Sequence, residues 1–91
     1  MKDEKFDIYN GLYTYLRGKI RNGCLELISE VDGDDIYPDS EKHYIFSASQ
    51  TEKLFSLISR EEFIESCRSG HLLWLEKFLR ENGITPETWT Y

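Results

Sequence analysis

The sequence predicts an α+β domain: an antiparallel β-sheet, built from an N-terminal hairpin plus a third strand, packed against two or three C-terminal helices. Three observations predict it. Asn22-Gly23 separates two stretches of period-two alternation, the apolar period lengthens to a helical one after residue 49, and two Ser-x-x-Glu signatures open that second half.

The hairpin comes first in the chain. Asn-Gly supplies the two positive-φ residues of a type I′ turn, whose twist suits the strands on either side. With Asn22 and Gly23 as the loop, Arg21 faces Cys24, Ile20 faces Leu25, Lys19 faces Glu26, Arg17 faces Ile28, Tyr15 faces Glu30 and Thr14 faces Val31. Side chains alternate along a strand, so one face collects Leu12, Thr14, Leu16, Ile20, Leu25, Leu27 and Val31. The other collects Tyr13, Tyr15, Arg17, Lys19, Glu26, Ile28 and Glu30, with Lys19 and Glu26 an opposite-charge pair. The first set is a core face and the second a wet one. HYIFSA, 43–48, reads as the third strand and makes a sheet large enough to be stable.

Ser49-x-x-Glu52 reads as a capping box opening a helix with Leu54, Phe55, Leu57 and Ile58. Ser59-x-x-Glu62 opens another, which puts Phe63, Ile64 and Cys67 on one face and ends at Gly70. HLLWLEKFLRENG continues with Leu72, Trp74, Leu75, Phe78 and Leu79 at helical spacing and stops at Asn82-Gly83. The final ITPETWTY has two readings, a helical turn started at Thr85-Pro86-Glu87 or an alternating edge strand.

Ninety-one residues with five Phe, six Tyr and two Trp suffice for one compact core, and neither a repeat nor a linker divides them. The chain opens MKDEKFD, without the apolar stretch of a secretory signal, and no segment approaches the ~18 apolar residues of a spanning helix. Two cysteines, Cys24 and Cys67, read as packed thiols, with a bond between them as the alternative. A cytoplasmic, reducing environment is the expectation.

Charge is distributed unevenly. Residues 23–41 hold seven acidic groups and no basic one, so this segment carries most of the net −6. Such a field repels nucleic acid and anionic membrane and attracts basic partners. Within it lies EVDGDDIYPDSE. As an EF-hand started at Asp32 it fails, because Ile36, Tyr37 and His43 stand where an oxygen ligand, the glycine and the glutamate belong. A carboxylate site of another geometry stays open, as does a solvated loop turned by Asp32-Gly33 and Pro38-Asp39. A plain loop does not account for nineteen positions without a cation, nor for Ile36-Tyr37 set among carboxylates. A partner-binding surface accounts for both, with Glu30, Asp32, Asp34, Asp35, Asp39 and Glu41 steering and Ile36 and Tyr37 anchoring.

No other pattern carries chemistry. His43 and His71 lack a neighbour at ligand spacing, Cys67 falls inside a helix, and Glu61-Glu62 follow a cap where negative charge is stabilising. Tyr13, Tyr15, Arg17, Lys19 and Arg21 resemble a single-strand RNA platform, but Glu26 and Glu30 share their face. No catalytic residue, cofactor or metal is expected, and neither nucleic acid nor membrane as partner.

The Ser59-x-x-Glu62-Phe63 start, the Leu75-x-x-Phe78-Leu79 stretch, the Asn82-Gly83-Ile84 stop and the aromatic end resemble the helical ends of small bacterial immunity proteins. These are encoded beside polymorphic toxins, including contact-dependent growth inhibition systems. The resemblance covers the last third of the chain and implies a non-enzymatic inhibitor of a cognate toxin domain, often a nuclease with a basic groove. The competing expectation is a small adaptor or regulatory domain, homodimeric in one form, that uses the aromatic outer face of the hairpin. The sequence leaves the oligomeric state open.

Overall fold

The computed structural model describes residues 3–11, 14–31, 33 and 39–90. Its elements run β1 (Glu4–Asn10), β2 (Thr14–Arg21), β3 (Cys24–Val31), β4 (Ser40–Ile45), α1 (Ala48–Leu57), α2 (Arg60–Glu81) and β5 (Glu87–Thr90). The strands form one antiparallel sheet in the order β1-β2-β3-β4-β5, and both helices lie on a single face of it.

The β2–β3 hairpin has the register expected from its turn, residue for residue from Arg21↔Cys24 to Thr14↔Val31. Asn22 and Gly23 both take positive φ, 54° and 79°. Leu16, Ile20, Leu25 and Leu27 are buried on the helix side, where they meet Leu54, Phe63, Cys67, Leu75 and Leu79. Two positions depart from the expected division. Val31, assigned to the core face, is 41% exposed, at the end of its strand. Ile28, assigned to the wet face, is only 8% exposed, since the long side chains of Arg17 and His43 stand directly opposite it on either side.

The sheet is larger than three strands. β1 adds to β2, and β5 adds to β4, so the final segment takes the edge-strand reading. The third strand spans Ser40–Ile45 rather than 43–48, because pairing with β3 begins at Val31↔Ser40. The first helix correspondingly starts earlier than the Ser49-x-x-Glu52 signature indicates. Its N-cap is Ser47, whose hydroxyl accepts from Gln50 N–H at 3.1 Å while the Gln50 side chain accepts from Ser47 N–H at 2.9 Å. The reciprocal box thus uses Ser-x-x-Gln two residues upstream. Ser59 caps α2 as expected, accepting from Glu62 N–H at 3.1 Å.

A buried bond couples the two halves. Leu25 N–H donates to Thr51 Oγ1 at 2.9 Å, and that hydroxyl donates to Ser47 carbonyl at 2.8 Å. Leu25 carbonyl in turn accepts from Phe46 N–H at 2.9 Å. The backbone of β3 just past the reach of β4 is thereby satisfied by the turn into α1. At the other edge, β1 carries a bulge between Asp7 and Tyr9, and Arg68 Nε of α2 donates to the Ile8 carbonyl at 2.8 Å. Gly18 in β2 leaves room for the Phe6 ring of β1, which would lie 2.6 Å from an added Cβ.

The expected break after Gly70 appears as a kink within α2. His71 sits at φ 56°, ψ −155°, outside helical space, with its ring edge-on to Tyr9 at 4.9 Å between centroids. The glycine is one residue too early to relieve this backbone, because Gly70 is needed where it is: a Cβ there would run into Trp74. The kink also leaves Leu73 81% exposed. Both cysteines are free, and the buried Cys67 thiol has its pKa pushed up by burial to about 12.

Two substitutions separate these glycine and histidine roles. His71→Gly relieves a backbone geometry costing 1–3 kcal/mol, less the entropy of a new glycine, so urea denaturation should show a gain of about 1 kcal/mol. Gly70→Ala should lose about 1–3 kcal/mol through its clash with Trp74.

Candidate partner-binding face

With both helices on one side, the other side of the sheet is open, and alternation decides what it presents. Three rows of opposed residues cross it. Asp7, Arg17, Ile28, His43 and Trp89 form one, and Lys5, Lys19, Glu26, Ile45 and Glu87 a second. Asn10, Tyr15, Glu30 and Glu41 form the third. The β1–β2 half is rich in cations, with Lys5, Arg17, Lys19 and Arg21. The β3–β5 half holds Glu26, Glu30, Glu41 and Glu87 around Ile45 and a 53% exposed Trp89.

A belt of ion pairs runs across the middle. Arg17 Nη2 donates to Glu30 at 2.7 Å, and Lys19 Nζ lies 3.1 Å from Glu26. His43 Nδ1 lies 3.0 Å from Glu26 Oε2, and its Nε2 lies 2.7 Å from Glu41 Oε1. Ionised carboxylates only accept, so both ring nitrogens are satisfied together when each carries a proton and donates. Burial alone would lower the His43 pKa, but the hydrogen bonds to Glu26 and Glu41 and the attraction of both charges raise it. Burial likewise pushes Glu26 upward, while bonds from His43 and Lys19 outweigh it and hold the carboxyl below its ordinary value. Glu30 and Glu41 stand directly opposite one another, a repulsive placement that their own cations offset.

The predicted site residues divide into two groups. Glu30 and Glu41 lie in β3 and β4 and are bound to Arg17 and His43. Asp39 accepts from Gly33 N–H and so ties the two ends of the connector together. Asp32, Asp34, Asp35, Ile36 and Tyr37 lie outside the described residues. Val31↔Ser40 is the last pair of the β3–β4 ladder, so positions 32–39 connect the two strands in the chain. Glu30 and Glu41 therefore flank the acidic connector in the chain, one residue beyond that pair on each strand.

Sequence reasoning gave His43 no role. Its signal is the alternation of β4, which sets it on the same face as Glu41 and diagonally across from Glu26 once the register is known. A cleft of about 310 Å³ crosses the basic half, lined by Lys5, Asp7, Arg17, Lys19 and Ile28. It is open, and its walls carry both signs. Among the described residues no group of three or more His, Cys, Asp or Glu could hold a metal ion, and no helix is long and apolar enough to cross a membrane.

Compared with models of protein families, with curated proteins and with solved structures, the chain shows no match.

The belt makes stability depend on pH in a defined direction. A group with a raised folded pKa stabilises fully below its unfolded value, near 6.5 for histidine, and that contribution is lost as pH rises through the folded value. Urea midpoints of the native chain should fall as pH rises above the ordinary histidine value and folded His43 loses its proton. In His43→Gln that decline should vanish while the alkaline baseline stays the same.

Proposed function

We propose that this chain is a non-enzymatic immunity protein that binds and neutralises the basic catalytic domain of a cognate toxin, a nuclease being the favoured class. The observation that carries the reading is that Glu30 and Glu41, which flank the acidic connector in the chain, stand opposite one another on a sheet face that neither described helix covers. Carboxylates concentrated at one end of a rigid sheet set up a directed field, and a basic surface diffusing toward it is captured more often and better oriented. In this reading the loop acids steer, Ile36 and Tyr37 anchor, and the neighbouring face continues the contact through Glu41, Ile45 and Trp89.

The ion-pair belt gives the interface a further property. Glu30 and Glu41 are held in place by Arg17 and His43, so their oxygens lose little side-chain freedom when a partner cation arrives. Glu87 has no ion-pair partner among the described residues and offers a full negative charge beside Trp89. A basic nuclease groove meeting these groups would find carboxylates where it expects phosphates, and its substrate would be excluded with no bond made or broken by the inhibitor.

The test is a kinetic one. A basic nuclease toxin domain captured with the chain from its source cell is immobilised and the chain flowed over it at low and high salt. Charge reversal at Asp34, Asp35 and Asp39 should slow association at least about tenfold at low salt and leave dissociation less affected. Unchanged association at low salt would refute the steering role. If Tyr15→Ala abolishes binding instead, the adaptor reading through the hairpin face replaces this one.

A further inference from the structure

The two edges of the sheet are unlike. At the β1 edge a bulge interrupts the ladder at Ile8, and α2 reaches over to hold the Ile8 carbonyl through Arg68. Charges line the strand at Glu4, Lys5 and Asp7, with Glu4 paired to Arg60 of α2. Bulges, charges and covering helices are the devices by which sheets keep further strands away. The β5 edge has no bulge and, among the described residues, no covering helix. Its four residues, Glu87, Thr88, Trp89 and Thr90, are all exposed, pair with β4 without a bulge, and include one charge. Beneath it an open groove of about 330 Å³ separates the strand from the C-terminal half of α2, with Thr88, Leu79, Ile84 and Pro86 on its walls. Among the described residues no helix stands over this edge.

We infer that β5 pairs with β5 of a second copy of this chain, antiparallel about a two-fold axis at Trp89, to give one continuous ten-stranded sheet. The sequence of the strand is self-complementary in that register. A two-fold perpendicular to the sheet keeps each face on its own side, so same-face residues must oppose one another. Trp89 then opposes Trp89 of the second copy on the open face, and Thr88 opposes Thr90 on the helix face. Both are favourable cross-strand pairs, and both residue types favour strands.

Charge decides between this occupant and a mispaired one. Each Glu87 lies two positions from the axis, so the two copies of Glu87 are four positions, about 14 Å, apart along the strands. Residues Glu41 of the two copies are separated by about 14 Å along the strands and by three strand spacings across them, roughly 20 Å in all. The two Glu87 and the two Glu41 are each farther apart than the ~10 Å screening length at 0.1 M salt, and the nearest like charges, Glu87 of one copy and Glu41 of the other, stand two strand spacings, about 10 Å, apart. A parallel or shifted arrangement would bring like charges together. With four residues per edge the association is a reversible one that depends on concentration. It sets two acidic open faces side by side on the same surface, and it stands independently of the proposed function.

The experiment uses the full chain. Sedimentation equilibrium across a concentration series up to millimolar should show reversible conversion from the 10.8 kDa chain to twice that mass. Trp89→Lys sets two cations against each other at the axis and should weaken the dimer at least about tenfold, with an unchanged circular dichroism melt. Trp89→Cys combined with Cys24→Ser should form a covalent dimer under mild oxidation, since directly opposed strand positions fall within disulfide reach. Lys5→Cys in the same background, at the β1 edge, should not. A monomer at every concentration overturns the inference. So does a dimer that Trp89→Lys leaves as tight as before, or one that cross-links through position 5 and not through position 89.

Discussion

Everything in this fold depends on the register that Asn22 and Gly23 impose on the β2–β3 hairpin. A shift of one residue would exchange Leu16, Ile20, Leu25 and Leu27 for Arg17, Lys19, Glu26 and Ile28 on the side that meets the helices. Four buried aliphatic residues would be lost to water, and three charged ones would need partners in an apolar interior. The same register sets the open face, because it places Lys19 opposite Glu26 and Tyr15 opposite Glu30. Core and candidate interface are two sides of one alternation, fixed by a two-residue turn.

That dependence explains which parts of the molecule could be read from the sequence. The hairpin is local: its turn chemistry, its apolar pattern and its cross-strand charges all lie within eighteen residues and agree with one another. The Ser59 cap and the break after Gly70 are local too. The edges of the sheet are not. KFDIYN and ETWT carry weak patterns, and they become strands because β2 and β4 offer open ladders and because Arg68 and the β4 register receive them. The Ser47 cap was hidden for a similar reason. Ser49-x-x-Glu52 matches the usual signature equally well, and only the end of β4 at Ile45 shows where the helix has to begin.

The candidate site was legible in outline and not in detail. Acid content across 23–41 pointed to Glu26, Glu30 and Glu41, which share the open face, and the alternation of β2 and β3 named most of that face. What the sequence conceals is that Glu30 and Glu41 oppose each other and survive by recruiting Arg17 and His43. Such an arrangement exists only once three strands are in register. His43 is a residue of no apparent purpose in the linear chain, yet in the folded one it joins two carboxylates from adjacent strands.

The Leu25–Thr51 bond and the position of β5 have a consequence for the order of assembly. The first four strands form a meander of neighbours in the chain, and α1 is stitched to it within a few residues of leaving β4. β5 reaches β4 only across the whole helical half, from Glu87 back to Ile45. During synthesis β4 is therefore the provisional border of the sheet, and it stays so until α1 and α2 have left the ribosome. For that interval the ladder groups of β4 are unclaimed, and the side chains along the strand include Lys42, His43 and Glu41. Charges on an edge strand are among the devices that keep a neighbouring polypeptide from pairing with it.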